Sequence, residues 1–283
     1  MYLNMLTPPA CEPITLDEVK AWNRVDTTAD DALITRAIIP ARKLVETRTH
    51  RQLVCATYEY DEDDFPWIGG YTGRPWDEYK LPRPPLIGID SIQYYPPLAG
   101  AALTTLDASF YDVDTGSTPG RFHLAFAKWW PAVRPQINAV KMIFRCGHLT
   151  PFTANITTGV IALNGRNPVA LERLVFRSIG LTGALPASLV AGTVYYPVNI
   201  SGATCQLSTD GATPITLTTA GSGTLFVLEG ADKDAEIEVA RQAIAMLVGG
   251  AYNNRESEGE LQLRPNDAFD RLVRSIAVAD MEV

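Results

Sequence analysis

The hydrophobic and polar positions along the chain predict helices at both ends and strands between them. Residues 15–18 form a capping-box pattern, in which Thr15 and Glu18 satisfy each other's backbone amides and begin a short helix. A second helix is predicted from about residue 28, with Pro40 expected to kink it. Apolar residues recur at helical spacing along one side of this helix: Leu33, Ile34, Ala37, Ile38, Ala41, Leu44 and Val45. The charged residues Arg36, Arg42, Lys43 and Glu46 fall mostly on its other side.

After residue 52 the pattern changes to strict alternation, which is typical of half-buried strands. Residues 53–60 place Val54, Ala56, Tyr58 and Tyr60 on one side of a strand. Further short strands separated by Pro and Gly turns are predicted at 79–81, 89–95, 110–114, 120–124 and 140–145. This arrangement predicts one small antiparallel sheet.

Residues 151–230 are rich in Thr, Gly, Ala and Leu and predict a separate all-β domain, with its clearest strands at 194–198, 205–207 and 225–228. Helical spacing returns at 232–256 and again at 266–276. The predicted fold class is therefore α+β. A helical core with a small antiparallel sheet is formed by residues 1–150 and 231–283, and the all-β domain at 151–230 is inserted into it.

Composition and charge argue against several classes of function. The 283 residues are 46% hydrophobic, which is enough for two ordinary domains, and the net charge of −8 argues against sequence-specific DNA binding. The first residues lack a signal-peptide pattern and no apolar run could span a bilayer, so we expect synthesis in the cytosol and no membrane partner. The four scattered cysteines predict reduced thiols rather than disulfides.

Several short segments, taken in order, resemble the family of tailed-phage head–tail connector (adaptor) proteins. The matching segments are EPITLDEVK (12–20), DDALI (30–34), ARKLVE (41–46), LPRPPL (81–86), IDSI (89–92), YDVD (111–114), AIAMLV (243–248) and YNNRE (252–256). The sequence departs from the family at 151–230, where the family has a short loop. This inserted segment itself resembles a small β module of other phage structural proteins, through residues 185–189, 192–198, 205–208 and 221–224.

The resemblance implies a non-enzymatic structural protein of the virion neck that joins capsid to tail. It implies a homo-oligomeric, dodecameric ring below the portal protein, with a tail-proximal neck or stopper protein as the other partner. Packaged DNA would pass through the sealed channel without sequence-specific binding. Assembly would take place in the host cytoplasm, and the family supplies no catalytic residue.

Aromatic and charged residues outside the apolar stripes are candidates for contacts with neighbouring proteins, because interface cores favour aromatic side chains and arginine. For Trp67 and Trp76, packing back on the sheet is an equally good interpretation. The same two interpretations apply to Trp129 and Trp130, for which core packing is favoured over an interface role. The interface candidates are Trp67, Tyr71, Trp76, Tyr79, Tyr252, Arg255, Phe269 and Leu272. Of these, Phe269 and Leu272 lie in a C-terminal tail that we expect to reorder on docking.

No catalytic, cofactor or metal site is predicted. Cys146 and His148 could contribute to a zinc site, but no second pair lies at zinc-finger spacing. The acidic run 61–64 is interpreted as a solvated turn, or as a surface that repels DNA in a channel.

Two alternatives remain. One is a virion accessory protein that binds a carbohydrate or receptor through the β domain, whose aromatic residues are Phe176, Tyr195, Tyr196 and Phe226. The other is a hydrolase, which would need converging acid or metal-binding residues that the sequence does not reveal.

Overall fold

The computed structural model describes residues 2–65, 78–228, 234–253 and 267–278. The helices are α1 (Leu16–Asn23), α2 (Asp31–Thr49), α3 (Asp234–Asn253) and α4 (Asp267–Ile276). The strands are β1 (Tyr2–Thr7), β2 (Ala56–Glu62), β3 (Tyr79–Lys80), β4 (Leu86–Tyr94), β5 (Thr104–Thr105), β6 (Tyr111–Asp114), β7 (Arg121–Leu124), β8 (Val140–Cys146), β9 (Leu149–Asn155), β10 (Val160–Leu163), β11 (Leu174–Ala184), β12 (Val194–Ser201), β13 (Thr204–Ser208) and β14 (Ser222–Leu228). The α+β class is confirmed. Among the described helices, none has the length and apolar content to cross a bilayer.

The described residues form two compact units. The sheet unit contains residues 2–8 and the described part of Cys55–Gly147, and the barrel–helix unit contains Pro9–Val54 and the described part of His148–Val278. This division places strands β9 to β14 in the same unit as the helices. The sequence instead predicts that residues 151–230 form a domain separate from the helices. That the β segment is an insertion into a helical core remains a prediction.

The sheet unit holds two antiparallel sheets rather than the one predicted. The larger has the order β1-β2-β8-β4-β5, and the smaller has the order β3-β7-β6. Opposite β8, Ala56, Tyr58 and Tyr60 of β2 are buried, as the alternating pattern predicts. Strand β1 was not predicted. It pairs with β2 in the register Leu3↔Tyr60 and forms an edge of the larger sheet.

Strands β9 to β14 close into a barrel with the order β10-β13-β12-β11-β14-β9. Its interior is filled by large side chains that alternate inward along the strands, among them Phe152, Phe176, Tyr195 and Leu207. The barrel spans Leu149 to Leu228, close to the predicted β segment, although β9, β10 and β11 were not predicted.

The four helices pack together within the barrel–helix unit. One apolar cluster contains residues of every helix, such as Val19, Val45, Ile244 and Phe269, together with barrel residues such as Phe226. Helix α2 continues through Pro40. The predicted faces of α2 are wrong at four positions, which are Leu33 and Leu44, both exposed, and Arg42 and Glu46, both buried.

Candidate assembly interface

The outward side of α2 combines basic and aliphatic side chains. Leu33, Ile39 and Leu44 expose 40–46% of their surface, and Arg36 and Lys43 lie exposed among them. At 3.6 residues per turn, these five residues share one side of the helix. We call them the α2 outer face. The exposed charges of this helix, Arg36, Lys43 and Arg48, are all basic.

A buried ion-pair network fixes the orientation of α2. The Arg42 guanidinium donates to Glu12 Oε2 at 2.7 Å and to Glu46 Oε2 at 2.8 Å. Glu46 also accepts from the side-chain amide of Gln52 at 3.0 Å and from the Leu53 amide at 3.2 Å. Burial lowers the pKa of Arg42, but the hydrogen bond and charges of Glu12 and Glu46 outweigh it, so the pKa lies above its usual value. None of these four hydrogen bonds involves the exposed cations of the helix.

Glu18 joins three elements of the barrel–helix unit. Its Oε2 accepts from the Thr15 amide at 3.0 Å, which completes the predicted capping box, and its Oε1 accepts from the Gly180 amide of β11 at 3.0 Å. Arg241 of α3 forms an ion pair with the same carboxylate. Burial raises the pKa of Glu18, but the hydrogen bonds from Arg241, Thr15 and Gly180 and the charge of Arg241 together lower it below its usual value. The sequence indicates only the cap, because the other two partners lie more than 160 residues away.

The acidic run 61–64 is only partly a solvated turn. Asp61 is buried in β2 and pairs with Lys141 at 3.2 Å, although burial still raises its carboxyl pKa. Asp63 and Asp64 are exposed after the strand, and Asp63 Oδ1 accepts from the Asn138 amide at 2.9 Å. Ile137, the neighbour of Asn138, exposes 82% of its surface. We call Asp63, Asp64 and Ile137 the acidic turn.

Large apolar side chains are also exposed elsewhere in the sheet unit. Phe126 is 98% exposed and Trp129 is 77% exposed. Trp130 instead stacks on Phe65 with ring centroids 4.6 Å apart, so the prediction of core packing holds for Trp130 and is wrong for Trp129. The clustering of aromatic residues in a stretch without alternation was the available signal for this surface.

Strand β1 presents an apolar edge. Tyr2, Met5 and Leu6 are exposed, and β1 carries neither a charged residue nor a proline. Among the described strands, it pairs with β2 alone. Exposed edges of this kind favour pairing with another chain.

Four of the eight predicted interface residues lie in the described structure. Tyr79 stacks on Phe122 with centroids 4.9 Å apart, and its hydroxyl donates to the Asp64 carbonyl at 3.0 Å. Burial, followed by nearby acidic groups and Tyr60, raises its pKa. The Tyr252 hydroxyl donates to Asp30 Oδ2 at 2.8 Å, which ties α3 to the start of α2.

The last two predicted residues lie on α4. Phe269 is buried in the helix cluster and Leu272 is half-buried. The structure brings Tyr252 and Phe269 to the same apolar cluster. Trp67, Tyr71, Trp76 and Arg255 lie outside the described residues. A role of any of the eight in contacts between chains remains a prediction.

Cys146 and His148, which the sequence suggested as possible zinc ligands, are surrounded by groups that do not form a metal site among the described residues. Cys146 is buried at the end of β8, and His148 Nε2 lies 3.3 Å from Arg51 Nη1 in the barrel–helix unit. Within the described ranges, no group of three or more His, Cys, Asp or Glu side chains is placed to hold a metal ion. All four cysteines are free thiols.

Comparison with known proteins gives two findings. Residues 13–67, which contain α1, α2 and β2, match the family model described as phage gp6-like head-tail connector protein. The predicted resemblance to head–tail connector proteins is therefore confirmed. No curated protein matches the chain.

Two solved structures have a similar fold over the whole chain. One is the neck of an empty gene transfer agent (GTA) particle computed with C6 symmetry, and the other is the virion of a native GTA particle. Each has a TM-score of 0.53 and 14% sequence identity, and each match covers 100% of this chain and 99% of the other. At this identity, the likeness concerns the fold.

Proposed function

We propose that the protein is a structural component of a virion neck, a head–tail connector that forms a ring below the portal and joins capsid to tail. The match of residues 13–67 to the connector family carries this proposal. The likeness of the whole chain to the fold of a protein in a GTA neck supports it, because that match extends through both compact units.

The proposed ring is a dodecamer through which packaged DNA passes without sequence-specific contact. The similar neck was computed with C6 symmetry, and a twelve-membered ring contains a sixfold axis. The net charge of −8 favours weak contact with the duplex, because like charges repel. We propose the portal and a tail-proximal neck protein as the other partners, with assembly in the host cytoplasm before incorporation in the virion.

The surfaces of the sheet unit are suited to assembly rather than to catalysis. Phe126 and Trp129 are large apolar side chains exposed at a loop, and such residues anchor protein interfaces when a partner buries them. We therefore propose a non-enzymatic role in which buried contact area holds the joint together.

Carbohydrate or receptor binding through the barrel has less support. Of the aromatic residues on which that alternative depends, Phe176, Tyr195 and Phe226 are buried and Tyr196 is half-buried. The barrel–helix unit has an open groove of about 420 Å³, which is lined mainly by small residues such as Ala154, Gly221 and Thr224. A sugar site normally offers an exposed aromatic face with several polar groups around it.

Imaging of particles tests the proposal. We expect density for this chain between portal and tail in the purified virion, and we expect particles made without it to contain filled heads that are not joined to tails. Density at any other location, or normal joining in its absence, would contradict the proposed function.

A further inference from the structure

The α2 outer face is positively charged in a chain whose net charge is −8. The acidic residues of the helix do not offset this charge, because Glu46 is buried against Arg42 and Asp31 pairs with Lys20 at 2.6 Å. Exposed aliphatic side chains flank the two cations. A surface with this composition fits a protein partner that is both acidic and apolar.

The acidic turn of the sheet unit has the complementary composition. Two adjacent carboxylates, Asp63 and Asp64, are exposed beside Ile137, and the hydrogen bond from the Asn138 amide to Asp63 holds these residues together. The turn is therefore a local surface with two negative charges and one large aliphatic side chain. The α2 outer face offers two positive charges and three aliphatic side chains.

These two surfaces are different parts of one chain, and this determines the kind of contact they make. A contact between unlike surfaces of identical chains is head-to-tail, and it closes into a ring when the rotation between copies permits. We propose that the α2 outer face of one copy docks on the acidic turn of the next copy. The inference rests on the proposed ring-forming function and assigns one junction of that ring.

Duplex DNA is a poorer occupant of the α2 outer face. Phosphate binding depends on the number of cations, and Leu33, Ile39 and Leu44 add nothing to it. The overall negative charge also opposes a polyanion. An acidic and apolar protein surface can contact both the basic and the aliphatic side chains of this face.

Charge exchange across the junction tests the proposal with the full-length chain. One variant carries Arg36→Glu and Lys43→Glu, and a second carries Asp63→Asn and Asp64→Lys, in which the introduced asparagine keeps an oxygen acceptor for the Asn138 amide. A third variant carries all four substitutions. The controls are Arg173→Glu and Asp112→Lys, which reverse exposed charges elsewhere. Circular dichroism confirms that each variant is folded. The measurements are incorporation per portal ring in purified particles and binding of a labelled duplex DNA.

We expect each double variant to lower incorporation by about tenfold or more, because close interfacial charge pairs are strongly coupled. The third variant restores opposite charges across the junction, and we expect it to return to within about threefold of the wild type. The two controls should match the wild type.

Unchanged incorporation of either double variant overturns the inference, and so does a third variant no better than its weaker parent. Loss of DNA binding with full incorporation also overturns it. Absence of the wild-type chain from the neck is a different result, because it refutes the proposed function itself.

Discussion

At the scale of single residues, two buried arginines of the barrel–helix unit each have one partner on their own helix and one partner distant in the sequence. Arg42 lies between Glu12 and Glu46, and Arg241 lies between Glu18 and Glu238. A buried charge that loses its partner is strongly destabilising, whereas a partnered one adds little net stability. Such residues determine how the helices are oriented more than they add to the total free energy of folding.

Removal of Arg42 should therefore leave Glu46 as an uncompensated buried charge. We expect Arg42→Met to lower the free energy of unfolding by roughly 3–5 kcal/mol, measured by chemical denaturation. Addition of Glu46→Gln should recover part of this loss, because the amide keeps an acceptor for Leu53 without the charge. Arg36→Met on the exposed side of the same helix is the matched control and should change stability by less than about 0.5 kcal/mol.

Glu18 should make stability depend on pH in the acid range. Its pKa in the folded chain lies below the unfolded value of 4.5, so the native state binds fewer protons there. The stabilisation is present above pH 4.5 and is lost as the pH falls through the folded pKa. We expect Glu18→Gln to lower the free energy of unfolding by roughly 1.5–3 kcal/mol near pH 7. This difference in stability from the wild type should disappear in acid. Asp17→Asn is the control.

If the difference in free energy of unfolding between the wild type and Glu18→Gln stays constant from pH 7 into acid, the charge of Glu18 does not stabilise the fold. Glutamine has one side-chain oxygen where Glu18 has two, so it can accept from Thr15 or from Gly180 and Arg241, but not from all three. The pH dependence of the difference therefore reports the charge of Glu18, whereas its size near pH 7 also includes lost hydrogen bonds.

At the scale of elements, close packing between α1 and α3 depends on one glycine. A Cβ atom at Gly249 would lie 2.0 Å from Asn23 Oδ1 and 2.8 Å from Asn23 Cγ. The Asn23 side chain occupies this space because its amide donates to the carbonyls of Val19 at 2.9 Å and Ala245 at 3.3 Å. The adjacent Gly250 has no heavy atom within 4 Å of such a Cβ position.

The two glycines provide a matched pair of substitutions. Gly250→Ala should stabilise the protein by about 0.5–1 kcal/mol, because alanine favours the helix. Gly249→Ala gains the same propensity but displaces Asn23 and breaks its hydrogen bonds. We expect Gly249→Ala to be less stable than Gly250→Ala by roughly 1–3 kcal/mol in thermal denaturation. Equal stability of the two variants would show that Asn23 moves away at no cost.

At the scale of the whole molecule, the barrel and the helices of the barrel–helix unit share one apolar cluster. Val175 and Ile179 of β11 and Phe226 of β14 belong to the same cluster as Ile237 and Ile244 of α3. Residues in one packed core unfold together in small domains. The barrel is therefore expected to depend on the helices for part of its stability.

Phe226→Ala should lower the stability of barrel and helices together. Phe226 is fully buried, so we expect a loss of roughly 3–5 kcal/mol. Hydrogen exchange should report the same loss of protection in β14 and in α3. Leu171→Ala, at a position that is 79% exposed, is the control. Loss of protection in the barrel strands alone would show that the barrel is an independent domain, as the predicted insertion implies.

Local patterns in the sequence predicted part of the fold. The capping box, the buried alternation of β2 and the α+β class were correct, because each depends on residues close together in the chain. Strand β1 was missed because its residues do not alternate, and its paired residues in β2 lie fifty or more positions away.

The faces of α2 show where sequence reasoning was insufficient. Leu33 and Leu44 fit the helical spacing of a buried stripe, and Arg42 and Glu46 fit an exposed one. The structure reverses all four, because Arg42 and Glu46 pair with each other and receive further partners from Glu12, which is half-buried, and Gln52, which is buried. Periodicity reports the polarity of a side chain but not the presence of a distant partner that makes burial of a charge favourable.

The sequence by itself determined the helices, part of the strands and the resemblance to head–tail connectors, since these reside in short segments such as residues 13–67. Only the tertiary structure decided which charges are buried, that the strands form two sheets and a barrel, and that basic and acidic surfaces remain exposed on different units. The physical reason is that hydrogen bonding within a helix or turn is local. Burial depends on contacts between residues that are far apart in the chain.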